Sequence, residues 1–175
     1  MDRMTYLNDL LARHEELFFY ELSDCAGWKT EFIGVDYIQG KNINGKTPAE
    51  IIESCAKAIT GDGLAKSISY AITGNDILLC LDVSGCAHLP KELTLQQRGI
   101  KPYNCLIANM INDRLIEVLG FETAYVAHIH IDGSASKCRI QIAIFENPSK
   151  IGCVSDWAEE IKRLDATNGW KKVAA

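Results

Sequence analysis

"TAYVAHIHIDGSASKCRIQIAIFE", Thr123 to Glu146, decides the fold. Two runs rich in β-branched residues flank "GSAS", and a short Gly/Ser link between such runs predicts an antiparallel hairpin. Side chains alternate along a strand. In the first run Tyr125, Ala127, Ile129 and Ile131 therefore share one face, and His128, His130 and Asp132 the other. In the second run Cys138, Ile140, Ile142 and Ile144 form the apolar face, and Arg139 and Gln141 the polar one. Matching the apolar faces sets both histidines on the side of Arg139 and Gln141.

Upstream lies "YNCLIANMINDRLIEVLG", a helix ended by Gly120. Leu106, Met110, Leu115 and Val118 mark its core side, widened by Ile107 and Ile111. Before it, "CAHLPKELTLQQRGIKP" shows no sustained period and reads as a loop or broken helix, of a length that is often functional. "NDILLCLDVSG" is a strand, with Ile77, Leu79, Leu81 and Val83 on one face and Leu78, Cys80, Asp82 and Ser84 on the other. "NGKTPAEIIESCAKAIT" opens a helix: Thr47 is the N-cap, Pro48 takes the first turn and Glu50 completes a capping box. Ile51, Ile52, Cys55 and Ile59 form its apolar stripe. After "TGDG", the spacing of Leu64, Ile68 and Ile72 in "LAKSISYAITG" predicts a further helix stopped at Gly74.

At the N-terminus, Leu7, Leu10, Leu11, Leu17 and Phe18 give Met4 to Leu22 a helical period. "GWKTEFIGVDYIQG" fits a short strand or an ordered loop. Ser155 caps a final helix, "SDWAEEIKRL", and "DATNGWKKVAA" reads as a tail. The chain is thus expected to be a single domain over 1–175, with an N-terminal helix and extended segment at 1–45, a core at 46–165 and a tail at 166–175. The fold class is α+β, with an antiparallel sheet covered by helices on one face.

Of the 175 residues 47% are apolar and 23% charged, enough to enclose a core in an ordinary globular domain. The net charge of −5, without a Lys/Arg block, argues against nucleic-acid binding. No apolar run is long enough for a membrane span. The N-terminus lacks a signal-peptide pattern, so a cytosolic location is expected. An odd count of seven cysteines in a reducing compartment disfavours a disulfide framework. Buried apolar thiols, metal ligands or a reactive thiol are the alternatives.

Three constellations could carry chemistry. His128 and His130, two apart on a strand, can face one zinc, iron, copper or nickel ion, with Asp132 beside them. They equally suit a polar sheet face. Cys86, His88, Cys105 and Cys138 lie at a loop, a helix start and a hairpin strand. A helix N-terminus lowers a thiol pKa, which points to Cys105 as thiolate ligand or nucleophile, with His88 as base. Asn109 follows Cys105 by one helical turn, so a Cys, a His and an Asn are present, although the sequence signature of papain-like proteases is absent. Tyr103, Asn104, Asn112 and Asp113 add polar groups to the same helix. "NINGKTP" lacks the glycine spacing of a phosphate loop, and its Gly45-Lys46-Thr47 belongs to the helix cap.

From about Lys46 to Glu146 the chain resembles the 4-vinyl-reductase-type, or hydrocarbon-binding, domain superfamily. The strand "DILLCLDVSGC", the helix "CLIANMINDRLIEVLGFE" and the hairpin "YVAHIHIDGSASKCRIQIAIF" carry the likeness in that order. Where that superfamily's turn often reads Gly-Asp-x-x-Cys, this chain has "DGSASKC". The resemblance implies an α+β fold shared with vesicle-tethering TRAPP subunits, a homodimer, and an apolar pocket for a small hydrophobic molecule. It also implies a zinc (or iron) site at Cys86, Cys105 and Cys138, with His88 as a further ligand. Free-standing aminothiazoline-carboxylate hydrolases are a related group, and they imply hydrolysis of a C–N bond. Three functions follow as alternatives: a small-molecule-binding domain, a small hydrolase using metal-bound water or a Cys nucleophile, and a dimerisation scaffold.

Overall fold

The structure is a computed structural model that describes residues 2–23, 26–73, 77–145, 147, 159, 163 and 170–174. Its elements run α1 (Arg3–Leu22), α2 (Ala26–Thr30), α3 (Val35–Gln39), α4 (Pro48–Gly61), β1 (Ser67–Thr73), β2 (Ile77–Ser84), α5 (Leu89–Gln97), α6 (Leu106–Leu119), β3 (Thr123–Asp132), β4 (Lys137–Phe145) and β5 (Lys171–Ala174). The five strands form one sheet in the order β3-β4-β2-β1-β5, and every described pairing is antiparallel. The α+β class expected from the sequence is what the chain adopts.

The hairpin forms as its alternation requires. Ile129 pairs with Ile140 and Ile131 with Cys138, while His128 pairs with Gln141 and His130 with Arg139. A bulge between Val126 and His128 shifts the register, so Tyr125 pairs with Ala143. The side chains of residues 123–127 lie outside the described set, and with them the expected facing of Tyr125 and Ala127.

One sheet face packs on α4 and α6. Ile51, Ile52, Cys55 and Ile59 of α4 and Ile107, Ile111 and Leu115 of α6 meet Leu79, Leu81, Ile140 and Ile142 in the main core. Val118, expected on that side, is 40% exposed. It sits in the last turn of α6, one residue before Leu119, where the helix is leaving the core. The opposite sheet face carries a smaller cluster of Ala71, Leu78, Cys80, Ala143 and Phe145, with Trp170 packed against it.

The start of α4 shows how local sequence sets local structure. Thr47 Oγ1 accepts from the Glu50 amide at 3.3 Å. The Glu50 carboxylate reaches back to the amide of Lys46 at 2.7 Å, one residue before the usual capping-box partner. A Cβ on Gly45 would lie 2.9 Å from the Ile51 amide nitrogen and from Glu50 Cβ, so only glycine lets the chain pass this close.

Several sequence expectations are corrected. "LAKSISYAITG" forms strand β1, not a helix, and pairs from Ser67↔Ser84 to Thr73↔Leu78. Leu64, Ile68 and Ile72 are spaced by four, which satisfies a strand period as well as a helical one. "GWKTEFIGVDYIQG" folds as the two short helices α2 and α3, neither strand nor loop. The aperiodic stretch after Cys86, expected as a loop or broken helix, is helical over α5, whose buried face includes Lys91 and Glu92, so no apolar period announces it. The tail is not a tail throughout: Lys171–Ala174 adds β5 to the sheet edge beside β1. Of the helix expected at "SDWAEEIKRL", Glu159 and Arg163 are described and both are helical; its cap at Ser155 and the stop at Gly74 fall outside the described residues.

α1 inverts the usual amphipathic arrangement. It buries Asn8, Ala12 and Glu15. Leu7, Leu10, Leu17 and Phe18, which gave the segment its helical period, are exposed. The polar side of α1 faces α5 instead, and that contact builds the site.

Candidate functional site

The loop after β2 is pinned from three directions. The Gly85 amide donates to the Ser136 carbonyl in the hairpin turn at 2.9 Å, and the Ala87 amide to the Leu64 carbonyl at 2.9 Å. The Asn8 side-chain amide donates to the Ala87 carbonyl at 3.1 Å, which ties α1 to the same loop. These bonds hold Cys86 against the start of β4, where Cys138 is buried, and at the entrance to α5.

Cys86 and Cys138 are hydrogen-bond partners. That bond, more than any other cause, holds the Cys86 thiol well below the ordinary range. Burial opposes it, and the neighbouring His88 adds to the lowering. His88 Nδ1 lies 3.9 Å from Cys86 Sγ, and the His88 amide donates to the same sulfur at 3.4 Å. The Cys138 thiol is pushed up, first as donor to Cys86 and then by burial. The pair thus behaves as one thiolate and one thiol, with the charge on the partly exposed Cys86.

This reverses the expectation for Cys105. Cys105 is the N-cap of α6, one residue before its first turn. Its thiol is pushed up to about 12, chiefly by burial and next by the charge on Cys86. Desolvation outweighs the helix dipole here. The thiolate of the cluster is Cys86, and His88 stands beside Cys86. Nor does Asn109 complete a Cys–His–Asn set. Its amide nitrogen donates to Asn104 Oδ1 at 2.8 Å and to the carbonyls of Thr30 and Ile33 at 3.1 and 3.2 Å.

A buried ion cluster adjoins the thiols. Lys91, 0% exposed, sits between two carboxylates: Glu15 at 2.7 and 2.8 Å and Glu92 at 2.5 Å. Asn104 Nδ2 is 3.4 Å from Glu15 Oε1, and the Tyr103 hydroxyl donates to the Glu15 carbonyl at 2.6 Å. Burial pulls the Lys91 pKa down, but attraction to Glu92 and Glu15 overcomes it and leaves the ammonium favoured. Burial raises Glu92 to about 7, against the pull of Lys91, and the charges of Glu15 and Cys86 push it the same way. Glu92 Oε2 has no hydrogen-bond partner among the described residues. Two carboxylates share one cation, so the one that is less well paired holds its proton near neutrality.

Sequence reading missed Glu15, Lys91 and Glu92. The available signal was the charged pair after Pro90 in "HLPKEL", at the start of a stretch with no apolar stripe.

Among the described residues no group of three or more His, Cys, Asp or Glu side chains is disposed to hold one metal ion. His128 and His130 are exposed on the sheet face away from α4 and α6. Asp132 is engaged in the hairpin turn, where it accepts from Ser134 Oγ at 2.6 Å and the Ala135 amide at 3.0 Å. On that same face Arg139 forms a two-pronged pair with Asp82, both bonds 2.6 Å, and lies over the Trp170 ring. A shallow depression elsewhere is lined by Glu53, Lys57, Lys171, Lys172 and Val173. No described helix is long and apolar enough to cross a membrane.

No family model, curated protein or solved structure matches the chain. The likeness to the hydrocarbon-binding superfamily rests on the sequence motifs alone.

Proposed function

We propose that the chain is a small-molecule-binding domain that acts on its ligand as a thiol hydrolase for a C–N bond, with Cys86 as nucleophile. The observation that carries this is the pairing of a partly exposed thiolate with a buried carboxylic acid, Glu92, held near neutrality. Catalysis near pH 7 needs a nucleophile already charged and an acid–base group poised to exchange a proton.

In the first step Cys86 Sγ attacks the carbon that bears the scissile nitrogen. A C–S bond forms, the C–N bond breaks, and protonated Glu92 supplies the proton to the leaving amine. Water then adds to the thioester and gives a proton to the Glu92 carboxylate, releasing the acid and restoring the thiolate. Lys91 limits the cost of the Glu92 carboxylate, and Glu15 fixes Lys91 between the two. His88 favours the Cys86 thiolate as its neighbour. The substrate expected from the resemblance is small with an apolar body, the assembly a homodimer, and free thiols suit a reducing compartment.

Labelling with iodoacetamide followed by peptide mass spectrometry tests the nucleophile. Cys86 should react fastest of all cysteines, at a rate that stays flat from neutral pH into mild acid. Short acyl-anilides should leave an acyl adduct on Cys86, with release of the aniline, and on no other residue. Labelling of Cys86 that falls with acidity like an ordinary thiol would sink the proposal. One equivalent of zinc in the purified protein, lost in Cys86→Ala and Cys138→Ala, would replace the nucleophile by a thiolate metal centre.

A further inference from the structure

We infer that the outward stripe of α1 is the surface on which a second copy of this chain docks, through an antiparallel pair of α1 helices. α1 is fully formed over 20 residues, yet it buries the polar Asn8 and Glu15 while several of its large apolar residues lie outside. Met4, Leu7, Leu10, Leu17 and Phe18 are between 36% and 56% exposed. At 3.6 residues per turn they fall within a sector of about 150°, with exposed His14 near its centre. An apolar stripe of this length on a helix already anchored by its other face is the signature of a packing surface.

The stripe fits itself better than it fits an unrelated partner. Arg3 lies at its N-terminal end and Glu21 at its C-terminal end, both exposed and at nearly the same angle around the helix. Two copies related by a two-fold axis at Ala12 would run antiparallel. Arg3 of each would then oppose Glu21 of the other. Leu7 would pack beside Phe18 on one flank and Tyr6 beside Leu17 on the other, with Leu10 against His14 near the centre. The two charges on the seam, Arg3 and Glu21, meet their opposites, and Tyr6, Leu7, Leu17 and Phe18 gain apolar neighbours, as an isologous interface requires. The inference rests on the homodimer reading only for the existence of a dimer. The choice of α1 rests on this self-complementarity.

Sedimentation velocity of the full chain from micromolar concentration upward should give twice the 19.4 kDa chain mass. Leu10→Glu and Leu17→Glu sit on exposed positions, so helical circular dichroism and melting temperature should hold while the dimer is lost. Arg3→Glu and Glu21→Arg should each weaken association about tenfold, and the double variant should restore it, because only a second copy exchanges both charges at once. A monomeric wild type overturns both the dimer and this surface. A dimer that survives Leu10→Glu with Leu17→Glu, or single reversals that the double variant fails to rescue, overturns the surface and leaves the dimer standing.

Discussion

Replacing Glu92 by glutamine turns the buried ion cluster into a measurable pH dependence. Burial raises the Glu92 carboxyl from its ordinary 4.5 to about 7 in the folded protein. Between those two values the folded chain holds a proton that the unfolded chain has released. A raised carboxyl contributes its full stability below the unfolded value and loses it as pH climbs through the folded one. One pKa unit corresponds to about 1.4 kcal/mol, so the contribution lost is on the order of 3 kcal/mol. Glutamine copies the neutral acid in shape and has no proton to lose. The variant should therefore gain on the wild type by about 3 kcal/mol between about pH 5 and about pH 8.

Cys86 works in the opposite sense. Its depressed pKa contributes stability that is present at high pH and lost as pH falls through the folded value. That contribution is shared by both proteins and cancels to first order in their difference. Guanidinium unfolding at a series of pH values, with m unchanged between variant and wild type, gives the difference directly. A difference flat to within about 0.5 kcal/mol would show that burial does not hold the Glu92 proton, and the acid–base role would fall with it.

Lys91→Met removes the cation between Glu15 and Glu92 and should cost about 3–5 kcal/mol at neutral pH, less in acid, read from the same unfolding curves. Gly45→Ala must open a 2.9 Å contact against backbone, and should lower stability by about 1–3 kcal/mol with no change in Cys86 labelling. Hydrogen peroxide should oxidise the Cys86 thiolate to a sulfenic acid with release of water. The Cys138 thiol then displaces a second water to give a Cys86–Cys138 disulfide. Intact mass should fall by two hydrogens in the wild type, and gain oxygen instead in Cys138→Ser.

The hairpin, α4 and α6 were legible because each had two independent signals. Ile129 and Ile131 repeat at a spacing only a strand serves, and "GSAS" supplies the turn. Thr47, Pro48 and Glu50 announce a helix before its stripe begins. β1 failed for want of a second signal, since a spacing of four suits both periods. The thiol cluster was legible as a set of residues but not in its charge state. Cys105 has the helix terminus that lowers a thiol pKa, and the desolvation of a half-buried side chain packed against the core, which raises it more. Which effect wins depends on burial, and burial at a helix start is a tertiary property.

The ion cluster and the inverted helix were hidden for one shared reason. Sequence reading assigns charge to the surface and apolar residues to the core. In α1 the buried Asn8 and Glu15 serve contacts distant in sequence: Asn8 holds Ala87, and Glu15 holds Lys91. A charged group is tolerated inside only when its partner is brought to it, and that partner lies on α5. The partner makes the second helix equally illegible, because Lys91 and Glu92 occupy the buried face where a period would show. Two helices that bury their polar sides against each other keep their apolar residues for other work. On α5, Leu95 joins Ala12 and Ile100 in a small core of their own. On α1, Leu7, Leu10, Leu17 and Phe18 remain outside. The same inversion therefore accounts for two features of this chain: a buried carboxyl beside the cysteine pair on the inner side of α1, and, among the described residues, an exposed apolar stripe on the outer.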